Sequence, residues 1–144
     1  MQPTAPDLLL LALRAAALIQ FALALFNFVL IPVMKWGNDL AKMPLLLREV
    51  FKVHSIFIAI TVGIFAVLTW RFAGEMVAKN DALAVWLAAS IGIFWLTRTI
   101  LQWTHYSPVD WRESSGRTFL HFLLFFGYGI FAAVYLLAAF ASHS

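Results

Sequence analysis

Residues 82–106, ALAVWLAASIGIFWLTRTILQWTHY, hold a single charged residue, Arg98. A bilayer core takes ~20 mostly apolar residues per helix, so this stretch reads as a membrane-spanning helix. Working outward, three more stretches of the same kind fill the chain, at about 8–34, 45–70 and 118–141. Hydrophobic residues make up 63% of the 144, charged residues 12%, and the mean hydropathy is +0.89. Soluble domains rarely carry one such run. Four of them predict an integral membrane protein of all-α class, an up-down-up-down four-helix bundle in a single transmembrane domain over 1–144. The polar connections are too short for a soluble module.

Composition excludes several function classes. There are no cysteines, which rules out disulfides, thiolate metal sites, iron–sulfur clusters and thiol redox chemistry. The net charge of +3 does not point to nucleic acid, because the basic residues sit at helix ends, where they anchor to lipid. The start, MQPTAPDLLLLALRAAALIQ, lacks the basic region and short apolar core of a cleaved signal, so it is expected to be the first helix. Pro6 and Asp7 suit its first turn and Pro32 its exit. Trp36 and Gly37 read as an interface turn, Pro44 as the start of the second helix, and RFAGEMVAKND, residues 71–81, as the second connection.

Lys and Arg counts set the expected orientation. The first connection carries Lys35, Lys42, Arg48 and Lys52, and the third Arg112 and Arg117. The second has only Arg71 and Lys79. Six against two places the first and third connections in the cytoplasm and both termini outside, in the periplasm for a bacterial inner membrane.

Polar residues inside the runs mark where a function could sit. Arg98, Gln102 and His105 stand at i, i+4 and i+7 on one helical face, and Trp95 and Ile91 extend that stripe. A charge in hydrocarbon costs at least ~2.5 kcal/mol, so Arg98 either snorkels to the headgroups or meets a partner. No acidic residue lies deep in the four runs, which leaves Glu49, carbonyls or an external anion. His54 lies ~9 Å beyond Arg48, His121 ~6 Å beyond Arg117, and Asn27 ~12 Å before Lys35. All four helices thus offer a polar group at similar depth, the pattern of a shared pocket in the cytoplasmic leaflet.

Two facing imidazoles can hold a b-type haem, and His54 with His121 have compatible depth. A metal site from His54, His105 and His121 has no carboxylate or thiolate behind it. Gly63, Ala88, Ala89, Gly92, Gly129 and Ala133 permit close helix contact. The string FWLTRTILQW, residues 94–103, together with FKVHSIFI, residues 51–58, resembles a pattern in a family of small, uncharacterised bacterial four-helix membrane proteins of about this length. The resemblance implies four helices in a bacterial inner membrane. It carries no activity.

The expected function is a membrane module whose ligand-binding residues are Arg98, Gln102, His54, His121, Asn27, Trp95 and His105. Its ligand would be a quinone-like or anionic lipid-like amphiphile, with membrane lipids as surroundings. The alternatives are an accessory subunit of a larger membrane complex, for example one of electron transfer, and a small transporter or b-haem protein. A membrane enzyme stays open: no nucleophile or carboxylate base is visible, and His54 or His121 would have to do the proton work. A reporter fused after Ser144 is expected to be active only on the outer side of the membrane. Activity confined to the cytoplasm would reverse the orientation.

Overall fold

The structure, a computed structural model, describes residues 4–33, 37–104 and 115–141, without side chains at 30–33, 39, 115–118, 120 and 121. It is all-α, as the sequence requires. The elements are α1 (Ala5–Val33), α2 (Gly37–Ala41), α3 (Leu45–Ala78), α4 (Ala82–Thr104) and α5 (Ser115–Phe140). Four of them are long and apolar enough to cross a membrane, over Ala5–Val29, Leu45–Ala78, Ala82–Thr104 and Phe122–Phe140. The protein is an integral membrane protein. Where an interface turn was expected after Trp36, the five residues of α2 form one short helix.

Helix α1 starts three residues earlier than its apolar run. Asp7 accepts from the Thr4 backbone N–H at 3.1 Å and from the Thr4 hydroxyl at 2.6 Å, and the Asp7 N–H donates back to Thr4 Oγ1 at 3.4 Å. This reciprocal capping satisfies donors that a helix start leaves orphaned.

The largest departure from the expected boundaries is α3. It was expected to end at Trp70, and it continues through Ala78. Arg71, Gly74 and Glu75 gave residues 71–81 the look of a loop. Yet Ala73, Met76 and Val77 are buried at helical spacing, and this packing outweighs the ~1 kcal/mol that one glycine costs a helix. The true connection is only residues 79–81. Lys79 takes a positive φ of 52°, its N–H caps the Glu75 carbonyl at 2.9 Å, and Asp81 Oδ1 caps the Leu83 N–H of α4 at 3.0 Å. The Lys79 ammonium also donates to the Ala141 carbonyl at the end of α5.

At 1.5 Å per residue α3 is ~50 Å long, against a hydrocarbon core of ~30 Å. Arg48, Glu49 and Lys52 precede an uncharged run, residues 53–70, that ends at Arg71. That run is ~27 Å long, close to the thickness of the core. About two turns of α3 flank it at each end.

The chain divides into two compact units, residues 14–71 and residues 1–13 with 72–144. In the first, the small residues Ala16, Ala17 and Ala24 of α1 and Ala59 and Ala66 of α3 are all buried. Gly63 lies close enough to α1 that a Cβ would stand 3.7 Å from Ala24 Cβ. Without water to drive apolar burial, close backbone approach of this kind holds membrane helices together. In the second unit α4 and α5 pack along most of their length. Contacts of 92 with 136, 99 with 129 and 103 with 125 show that the two run antiparallel.

Gly92 is the tightest point of that seam. A Cβ there would stand 2.8 Å from Leu136 Cδ2 and 3.2 Å from the Leu136 backbone nitrogen. Gly92→Val should therefore part α4 from α5 and cost about 1–3 kcal/mol. Gly127, with nothing within 4 Å of its would-be Cβ, should accept alanine. Thermal unfolding in mild detergent checks this: a lower midpoint for Gly92→Val alone is the expected result.

Candidate functional site

The α4–α5 pair carries two aromatic clusters. The inner one is built on Trp95, 3% exposed, whose ring stacks on Tyr128 at 5.2 Å between centroids and meets Phe131 at 4.9 Å and Phe94 at 5.3 Å. Arg98, one turn on from Trp95 in α4, is half-buried, and its guanidinium carbon lies 5.3 Å from the centre of the Tyr128 ring. A cation over an aromatic face gains ~0.5–2 kcal/mol, more as water is excluded. Trp95 thus fixes Tyr128, and Tyr128 gives Arg98 a partner inside the protein. Gln102, one further turn along, is 1% exposed.

The outer cluster forms a groove of about 600 Å³ lined by Thr99, Ile100, Trp103 and Thr104 of α4 and Phe122, Phe125 and Phe126 of α5. Trp103 meets Phe125 at 5.4 Å, and Phe125 sets its edge to Phe126. The threonine hydroxyls do not make the groove polar. Thr99 donates to the Trp95 carbonyl at 2.8 Å and Thr104 to the Ile100 carbonyl at 3.0 Å. Both hydroxyls are bound to their own helix. The groove is therefore an aromatic and methyl surface, with Trp103 and Thr104 toward its loop end.

Arg98 does not line this groove. At ~100° per residue it stands ~160° around α4 from Ile100. The cationic residue and the Phe-rich groove occupy opposite flanks of the α4–α5 seam.

The other residues singled out by sequence lie elsewhere. Asn27 on α1 is half-buried and donates to the Leu23 carbonyl at 2.8 Å. His54 is exposed on α3. Asn27 and His54 belong to the unit of residues 14–71, whereas Trp95, Arg98, Gln102 and His121 belong to the other. His105 and the His121 side chain lie outside the described residues, so the haem pair and the metal set are not defined by this geometry. Among the described residues no group of three or more His, Cys, Asp or Glu side chains comes together.

Sequence reasoning missed Tyr128 as the partner of Arg98 and missed the groove. The signal was present: Phe122, Phe125 and Phe126 at i, i+3 and i+4 form an aromatic patch on α5. Two further polar residues in the spans are buried, Gln20 and Thr69, of which the sequence singles out only Gln20. Gln20 donates to the Ala16 carbonyl at 3.2 Å. A second cation–π pair lies in the unit of residues 14–71, with the Arg14 guanidinium carbon 5.9 Å from the centre of the Trp70 ring.

Compared with known proteins, the chain matches no family profile, no curated protein and no solved structure. No activity is carried over from a relative.

Tyr128→Leu should remove the aromatic face under Arg98 and destabilise by about 1–2 kcal/mol, whereas Tyr128→Phe should stay near the parent. Denaturant titration in detergent micelles distinguishes them. Equal loss in both variants would assign the effect to the phenolic hydroxyl instead.

Proposed function

We propose that this protein is a small bacterial inner-membrane module that binds a quinone-like amphiphile on the lipid-facing side of α4 and α5, in the cytoplasmic leaflet. The observation that carries the reading is the chemistry of the groove. Its walls are three phenylalanines, a tryptophan and threonine methyls. Aromatic walls favour a flat ring in offset or edge contact, worth ~0.5–1.5 kcal/mol per pair beyond simple burial. The volume lies within the range of small-ligand sites. A quinone brings a flat ring, an apolar isoprenoid tail that the surrounding lipid accommodates, and carbonyl oxygens that accept from a donor such as the Trp103 indole.

The six-to-two basic asymmetry supports the leaflet assignment, since the groove lies toward the connection between α4 and α5. An anionic lipid has the same apolar requirement, but it asks for a cation in the groove. Arg98 stands on the other flank of the seam, bound to Tyr128. In this reading Arg98 shapes the back of the site by fixing Tyr128 and Trp95.

The test is purification in mild detergent, lipid extraction and mass spectrometry. A quinone should co-purify with the parent protein, fall several-fold in Thr99→Trp, which fills the groove, and persist in Arg98→Leu where the thermal midpoint shows that variant folded. Loss in Arg98→Leu alone would move the ligand to the cationic flank. An anionic phospholipid enriched in place of a quinone would overturn the quinone assignment.

A further inference from the structure

The exposed face of α3 carries a pattern that lipid contact does not require. Leu46, Val50, Val53, Phe57, Ile60 and Ile64 are all exposed, at 75%, 56%, 65%, 67%, 48% and 52%. Their spacing alternates four and three, the a/d repeat of a coiled-coil seam. Inside hydrocarbon an exposed apolar face is ordinary, because acyl chains cover it as well as a protein can. The seam, however, begins before the hydrocarbon does. Leu46 and Val50 precede the uncharged run of residues 53–70 and share their two turns with Arg48, Glu49 and Lys52. Leu46 is ~10 Å outside that run, among charged turns where Leu45 and Leu47 are exposed too.

We propose that α3 pairs with α3 of a second copy of this chain, as a parallel two-stranded coil along this seam. Copies inserted with one topology are related by an axis along the membrane normal, so their α3 helices must run parallel. The flanking charges fit that geometry. With Val50 at a and Val53 at d, Glu49 occupies g and His54 occupies e. In a parallel coil a g residue faces the e residue five positions on in the partner helix, which sets Glu49 against His54 of the second copy. Both are exposed in the single chain, with the Glu49 side chain 52% exposed. The present partners of Glu49 are Lys52 at 3.1 Å and Arg48 at 3.6 Å on its own helix. Those are solvated pairs that leave the carboxylate able to accept from the second copy as well. A donor–acceptor pair at e and g and an apolar seam continued into the charged turns thus point to the same occupant.

The chain holds no cysteine, which makes single-cysteine crosslinking in native membranes a clean test. Under mild oxidation, Leu46→Cys, Val50→Cys and Val53→Cys should give a dimer band several-fold stronger than Arg48→Cys and Ser55→Cys, because a and d positions bring Cα atoms within disulfide reach. Adding Glu49→Lys to Val50→Cys should weaken the band, and adding His54→Glu to that pair should restore it. Equal crosslinking at 48 and 50, a band of another mass from a different protein, or no recovery on charge exchange would each overturn the parallel homodimer.

Discussion

An arginine in a bilayer must be satisfied by the protein or leave for the headgroups, and the pairing of Arg98 with Tyr128 is how this chain meets that demand. The hydrocarbon offers no water, so each unmet charge or peptide group costs several kcal/mol. Helices satisfy the backbone. Short polar side chains follow the same rule, with Asn27, Thr61, Ser90 and Thr99 all donating to a carbonyl one turn back. Arg98 is too long and too strongly charged for that solution. It requires a face on another helix, and Tyr128 of α5 supplies one. In the same register Gly92 meets Leu136, Trp95 meets Tyr128 and Phe131, and Trp103 meets Phe125.

The two flanks of that seam have separate chemistry. One holds a cation on an aromatic ring, with the buried Gln102 one turn away. The other is an apolar aromatic groove whose hydroxyls are turned back into the helix. Direction around a helix separates the two: Arg98 and Ile100, two residues apart, stand ~160° apart around α4.

The helices were legible because a bilayer imposes length and composition on any segment that crosses it. Their ends were less so. Residues 71–78 read as a loop through Arg71, Gly74 and Glu75, while their helix rests on the burial of Ala73, Met76 and Val77, which a local reading cannot see. The stripe of Trp95, Arg98 and Gln102 on α4 was legible, and Trp95 and Gln102 on it are buried. Its partner was not, because matching Tyr128 to Arg98 needs the register between two helices, and that depends on Gly92 and Leu136 many residues away. The stripe along α3, charged first turns included, lay within the helix expected at about 45–70; its exposure along that whole length is what a sequence does not show.

The account stands or falls on whether Arg98 is held by Tyr128 within the membrane. The most direct measurement is the NMR spectrum of the Arg98 side chain in lipid bilayers. Over a tyrosine ring, its Nε–H resonance should be displaced upfield by the ring current and should return toward the solvated position in Tyr128→Leu. A resonance at the solvated position in the parent protein, unchanged by that substitution, would put the guanidinium among the headgroups and contradict the account.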